Sequence, residues 1–261
     1  MVTPAPALSI RFSALVRQGL RFRRKFEDAK RLIGPRDFDW YPYDCFANLF
    51  YLRQLMREAA LPLDEIIGSE PVLDLGAADG ALSFFLESLG HRAHAIDHSG
   101  TSINRMQGIH ALAKELGSQV HIRDIDLDGS FEIDGQYGFA LFLGTLYHLK
   151  NPFHALETLA KQARFCFLST RVARVSPDHA TRLDSVPIAY LLDTEECNAD
   201  ATNYWIFSPP GLKLLAQRTG WNICASVSSR VFDSDPVTPE GDERMFLLLR
   251  SNQEAATAAP Q

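Results

Sequence analysis

The sequence predicts an α/β fold built on a doubly wound, largely parallel sheet and preceded by a helical N-terminal arm. Three observations carry that expectation. From Pro71 onward, short apolar runs alternate with segments of helical period, the pattern of strands joined by crossover helices. The first run, Val72 to Leu75, ends in a glycine-bearing turn, Gly76-Ala77-Ala78-Asp79-Gly80, that feeds a helix. An acid, Asp97, closes the next run 21 residues beyond Gly76, where such sheets present side chains to a ligand at their carboxyl edge.

Residues 1–9 and 253–261 are Pro/Ala-rich ends with little to bury, and are expected to fray. Apolar residues at Phe12, Leu15, Val16, Leu20, Phe22, Phe26, Ala29 and Ile33 keep helical spacing until Gly34-Pro35 stops the helix. An aromatic cluster follows, Phe38-Asp39-Trp40-Tyr41-Pro42-Tyr43, and then a helix from Asp44, its N-cap, to Ala60. Strands are expected at Val72–Leu75, Arg92–Ile96, Val120–Asp124, Gly138–Leu143, Arg164–Thr170, Ile223–Val231 and Met245–Leu249. Helices are expected at Ala81–Leu89, Thr101–Leu116, Pro152–Gln162 and Pro210–Thr219. The segment 173–204 has no clear period and, lying after the fifth strand, suits a lid or an acceptor-site element.

Composition bounds the class. Of the 261 residues, 46% are hydrophobic and 22% charged, a globular balance that excludes wholesale disorder. The apolar runs Phe139–Leu143 and Met245–Leu249 are far too short to span a bilayer. Four scattered cysteines without a CxxC pair predict neither a disulfide framework nor a metal site, and fit a cytoplasmic protein. The opening residues lack the apolar core of a secretory signal, and an organelle presequence is not favoured. The formal charge of −6 hides an asymmetry. Nine Lys/Arg against Glu27 and Asp28 give residues 11–36 a local +7, leaving −13 for the remainder. So acidic a body disfavours general nucleic-acid binding. The basic face of the arm reads first as a solvated helix face. Its second reading is contact with an anionic partner, whether RNA phosphates or a membrane surface.

The glycine turn is neither GxGxxG, because Ala78 takes the second glycine position, nor a P-loop, because no GK[ST] follows. A pyrophosphate wants backbone N–H groups without nearby carboxylates, yet Asp74 and Asp79 flank this turn. Acids there repel phosphate and suit an ammonium or sulfonium. The electrostatics therefore favour S-adenosylmethionine over NAD or ATP, with Asp97 accepting both ribose hydroxyls.

Val72-Leu73-Asp74-Leu75-Gly76-Ala77-Ala78-Asp79-Gly80 resembles the first motif of the class I S-adenosylmethionine-dependent methyltransferases, and Ala95-Ile96-Asp97-His98-Ser99 resembles their second. Residues 120–127 resemble the third-strand motif, and 137–152 the fourth strand with its following helix. The resemblance covers about residues 71–250. It implies a Rossmann-like, seven-stranded sheet whose last strand is antiparallel, and a methyltransferase catalytic domain over 71–252 between an arm and cap over 1–70 and a tail over 253–261. By that resemblance Asp74, Gly76 and Gly80 shape the methionine end and Ala77 and Asp79 line it. Asp97 and His98 serve the ribose. Asp126, with Asp124 as fallback, and Leu127 serve the adenine, while Gly144 passes backbone beside the methionine.

Methyl transfer to a proton-bearing acceptor asks for alignment and, where a proton must leave, a base. His148 and Tyr147, just past the fourth strand, are the catalytic candidates, each with an alternative as a packing or wall residue. Tyr41, Asn203, Tyr204 and Trp205 are the candidates for closing over the acceptor, the aromatics offering faces to a ring or a cation. A small-molecule acceptor is expected, at oxygen rather than nitrogen. Stretches 146–152 and 203–221 also resemble the tRNA wobble-uridine methyl- and carboxymethyltransferase branch, which keeps a tRNA-modifying enzyme as an alternative beside a non-catalytic S-adenosylmethionine-binding protein.

Overall fold

The computed structural model describes residues 12–129, 131–229, 233–239 and 242–253; expectations for residues 1–9, 254–261 and the strand end at Val231 lie outside them. The chain forms two compact units, Met1–Asp126 with Gly135–Leu141, and Leu127–Asp134 with Phe142–Gln261.

The first unit begins with α1 (Phe12–Ile33), a 3-10 turn (Cys45–Ala47), α2 (Asn48–Glu58) and the short α3 (Leu63–Ile67). It continues through β1 (Val72–Leu75), α4 (Ala81–Ser88), β2 (Ala93–Asp97), α5 (Gln107–Leu116), β3 (His121–Asp124) and most of β4 (Tyr137–Leu143). Strand order is β3-β2-β1-β4. β1 and β2 pair in parallel from Val72 opposite Ala93, and β2 and β3 from His94 opposite His121. β1 is buried along its whole length, as a central parallel strand requires.

The periodicity of α1 translates directly into packing. Leu15, Val16, Phe22, Phe26 and Ala29 are buried, while Arg21, Arg23, Arg24 and Lys25 face solvent. Leu20 departs from the pattern and is 40% exposed. Phe22 and Phe26 enter a cluster with Phe46, Phe84 and Phe85, ring centroids 5.8 to 6.5 Å apart. Tilted and edge-on pairs of this kind add to the area they bury, so the arm is docked on α4.

Two expected helices start later than their apolar period suggests. Asp44 caps only the 3-10 turn, accepting from Phe46 N at 3.1 Å, and the α-helical hydrogen bonds begin at Asn48. The helix expected from Thr101 begins at Gln107, because Arg105 and Met106 adopt left-handed φ of 52° and 63°.

The second unit holds a 3-10 turn (Leu146–His148), α6 (Pro152–Gln162), β5 (Ala163–Val172), β6 (Ala189–Leu191), β7 (Trp205–Phe207), α7 (Pro209–Arg218), β8 (Trp221–Ser228) and β9 (Glu243–Ser251). Asn151 and Ser208 cap α6 and α7, each followed by proline at the first helical position. The last strand, β9, is antiparallel to both β5 and β8, as expected. The described residues contain nine strands where seven are expected. The segment without a clear period supplies β6, and β7 follows it. These strands are too short to show an alternation, yet they pair antiparallel, and β7 joins the end of β5 at Val172 opposite Phe207. Among the described residues, no helix is long and apolar enough to cross a membrane.

Gly138 in β4 is fixed by close approach. Its N–H donates to Pro71 O at 3.1 Å, and a Cβ there would stand 1.6 Å from Ile67 O. Both neighbours are backbone, so neither swings aside. Gly138→Ala is expected to cost about 3 kcal/mol, the upper end for overpacking. The check is a urea melt, with the midpoint lowered and the slope unchanged; an unshifted midpoint would show that the end of α3 yields freely.

Candidate functional site

The turn after β1 is built from left-handed residues: Gly76, Ala78 and Gly80 have φ of 70°, 51° and 78°. At Gly80 a side chain is also excluded by space, since a Cβ would lie 2.7 Å from the Phe84 ring and 2.8 Å from Ile109. Gly76 N and Ala77 N both donate to Ile96 O, at 2.8 and 3.1 Å, binding the turn to β2. Asp97 completes the link. Its Oδ2 accepts from Ala78 N at 2.6 Å and its Oδ1 from His98 N at 2.7 Å, so the half-buried carboxylate is fixed between turn and strand end. Burial pushes its pKa up, against the pull of those two N–H groups.

Asp124, the fallback for the adenine, is committed elsewhere. Its carboxylate accepts from Ser99 N at 3.0 Å and Ser99 Oγ at 2.5 Å, which holds its pKa down, and lies 3.3 Å from His98 Nδ1. It locks the bend after β2. Asp126 is exposed just beyond β3, and Leu127 is buried in the second unit.

The two acids flanking the turn have different surroundings. Asp74 is 6% exposed, and its carboxylate accepts from Ser83 Oγ at 2.6 Å and from the Ser83 backbone; burial pushes its pKa up to about 6. Asp79, 3% exposed, faces the N-terminal elements. Its Oδ2 lies 3.2 Å from Lys30 Nζ and accepts from Tyr41 N at 2.8 Å, and its Oδ1 accepts from Asn104 Nδ2 at 2.8 Å. The ammonium that the sequence leads one to expect beside this acid is therefore supplied by the chain's own Lys30. That ammonium also sits over the rings of Phe26 and Trp40, 4.9 and 5.2 Å from their centroids. Asn104 additionally donates to Asp39 O at 3.2 Å and accepts from Gly108 N at 3.3 Å, which joins the loop before α5 to the aromatic segment. Tyr41 acts here through its backbone, while its ring stands edge-on to Tyr43 at 5.4 Å. Lys30, Ser83 and Asn104 escape sequence reasoning, the first inside a run of solvated cations and the other two inside expected helices.

In the second unit, Tyr147, His148, Tyr204 and Trp205 come together. His148 Nδ1 lies 3.2 Å from Thr202 O and 3.0 Å from Thr202 Oγ1, and that hydroxyl donates to Asp200 Oδ1 at 2.6 Å. Because a carbonyl and a hydroxyl already donating its proton can only accept, Nδ1 carries the hydrogen and Nε2 the lone pair. Burial lowers the pKa of His148, with Asp200 opposing, so the ring favours its neutral form. Tyr147 is buried against the His148 ring at 4.1 Å, and its hydroxyl lies 3.4 Å from Arg244 Nη2. Tyr204 N donates to Tyr147 O at 2.8 Å, and Trp205 Nε1 donates to Lys150 O at 3.3 Å. Asn203 is buried, its Nδ2 donating to Cys197 O at 3.1 Å. Gly144, φ 71°, donates its N–H to Ser169 O at 3.0 Å. The acids Asp193 and Glu196 serve their own loop, Glu196 accepting from Tyr190 Oη and Asp193 N at 2.9 Å each.

The parallel strands, the glycine turn and the antiparallel last strand make this the fold of the class I S-adenosylmethionine-dependent methyltransferases. Solved structures of similar fold include the N-terminal domain of EvdMO1 with SAH bound, at 16% identity and TM-score 0.52, covering 88% of this chain and 96% of that one. A putative methyltransferase from Bacillus halodurans C-125 is similar at 15% identity and TM-score 0.54, covering 76% and 97%. An S-adenosylmethionine-dependent methyltransferase from Mesorhizobium loti is similar at 14% identity and TM-score 0.53, covering 78% and 97%. At these identities the likeness is one of fold. No curated protein matches. A family model described as a methyltransferase domain matches residues 43–226, and the chain belongs to that family.

Asp74 makes the site costly to stability. Folded, it keeps its proton up to about pH 6, whereas an ordinary aspartate releases it near 3.8. Between those values the folded state binds more protons, so stability falls as pH rises, and above pH 6 the whole cost, roughly 3 kcal/mol, is present. Asparagine keeps an acceptor for Ser83 and removes the charge. Asp74→Asn is expected to raise the thermal midpoint at about pH 8, with the gain fading towards about pH 4; equal midpoints at both pH values would mean that the ionised acid is fully compensated.

Proposed function

We propose that this methyltransferase carries the methyl group of S-adenosylmethionine to a small-molecule acceptor, at oxygen in preference to nitrogen. One observation carries the cofactor assignment: the Asp97 carboxylate is pinned by Ala78 N and His98 N between the glycine turn and the end of β2. Each of its oxygens keeps a lone pair for a ribose hydroxyl. When bound, S-adenosylmethionine supplies a methyl group on a cationic sulfur. Asp97 and His98 would hold the ribose, Gly76, Ala77 and Gly80 would admit the methionine end, and Asp74 would add negative charge behind the turn. Asp126 and Leu127 are proposed for the adenine and Gly144 for the backbone beside the methionine. Asp79, already neutralised by Lys30, acts in this reading by ordering the turn.

His148 is proposed as the proton acceptor, at Nε2. Thr202 fixes the ring through Nδ1, and a neutral imidazole at working pH suits an acceptor hydroxyl that must lose its proton. Tyr147, Asn203, Tyr204 and Trp205 are proposed as walls for the acceptor, with Tyr41 lining from the arm.

Calorimetry on the full chain tests the cofactor assignment. S-adenosylhomocysteine, the demethylated product, is expected to bind, NAD and ATP are not, and Asp97→Ala should weaken binding by about a hundredfold, the loss of two charge-assisted hydrogen bonds. No heat with S-adenosylhomocysteine, or tight binding of NAD, would defeat the assignment. Nitrogen-resolved NMR tests His148: the Nδ1–H tautomer is expected, with a titration midpoint below 6.5. An Nε2–H tautomer would remove it as the base.

A further inference from the structure

Beside the glycine turn, within the first unit, lies a cavity of about 710 Å³, of whose lining Tyr41 and Lys30 alone have a role above. It is bounded by one face of α1 (Arg23, Phe26, Glu27, Lys30, Arg31) and by the segment after that helix, with Ala81, the first residue of α4, also lining it. Residues 23, 27, 30 and 31 recur at helical spacing, so a single stripe of α1 presents them. The volume lies within the range of small-molecule sites.

Its chemistry is specific. Three cations and two anions line it, Arg23, Lys30 and Arg31 against Glu27 and Asp44. Lys30 is held by Asp79 and by two rings, and is not at a ligand's disposal. The two arginines differ. Arg23 pairs with Asp44 at 3.1 Å with side chains 46% and 37% exposed, and Arg31 pairs with Asp28 with side chains 78% and 55% exposed. Pairs this exposed are worth about 0 to 1 kcal/mol, so an incoming anion can take over either guanidinium at little cost. Phe26, Trp40 and Tyr43 supply aromatic surface, and Tyr43 is 72% exposed, an uncommon position for so large a ring. Gly76, Ala78 and Asp97, which the cofactor assignment uses, are not among the lining residues.

We propose that this cavity binds a ring-bearing small molecule carrying a carboxylate or comparable anion. Arg23 and Arg31 take the anion and Trp40 and Tyr43 take the ring.

The test uses the full chain and two probes of one shape, 3-hydroxy-2-naphthoate and its neutral carboxamide, followed by fluorescence. The naphthoate is expected to bind about tenfold more tightly than the amide, the worth of one charge-assisted contact. Replacing both cations, Arg23→Gln with Arg31→Gln, should erase that difference, and Tyr43→Ala should weaken both probes by about fivefold. All three positions are exposed, and an unchanged thermal midpoint verifies that the variants fold. Affinity for S-adenosylhomocysteine should stay within about threefold in the arginine double variant. Equal binding of acid and amide, or naphthoate affinity indifferent to the arginines, would overturn the proposal. So would a parallel loss of S-adenosylhomocysteine affinity, which would give the cations to the cofactor's own carboxylate.

Discussion

A carboxylate with almost no access to water needs its charge answered by the protein, and Asp79 obtains that answer from three directions. An ammonium from α1, a backbone N–H from the aromatic segment and an amide from the loop before α5 converge on its two oxygens. Removing one partner of such a buried pair strands the other, which makes the arrangement cooperative in a way that solvated pairs are not. Through these contacts one acid ties the glycine turn to α1, to the aromatic segment and to the loop before α5. The same acid that would repel a phosphate is thus chiefly a fastener, and the cationic character of the turn's surroundings is partly internal.

Around that fastener the N-terminal elements divide into two kinds of surface. The apolar stripe of α1 is buried among phenylalanines from the 3-10 turn and α4. Most of its cations, Arg21, Arg23, Arg24 and Lys25 among them, face solvent, as both the solvated-face and the anionic-partner readings of the charge run require. Among the described residues, Lys30 alone of the cations from Arg17 to Arg31 is tied to a deeply buried acid. The distinction is positional: it lies on the flank where helix and turn meet.

What was legible in the sequence was what is local. The β1 run, the glycine turn and Asp97 lie within one crossover, and hydrophobic period together with glycine placement is enough to set them out. The aromatic and basic makeup of the arm was visible as well. Lys30 with Asp79, and His148 with Thr202, were not legible, because contacts between residues far apart in sequence leave no periodic trace. Asn104 shows the same limit: its neighbours read as helix, yet left-handed Arg105 and Met106 interrupt it. The strands β6 and β7, three residues each, are shorter than any alternation that could announce them.

The position occupied by Asn104 suits few side chains. Its amide nitrogen serves Asp79 and the Asp39 carbonyl while its oxygen takes the Gly108 N–H, so the residue must be donor and acceptor on one short stem. Aspartate would set a second negative group against the first, leucine would leave three polar atoms unanswered, and glutamine would carry the amide one carbon too far. A lineage that changed this codon would loosen, in one step, the join between the glycine turn, the aromatic segment and the first turn of α5.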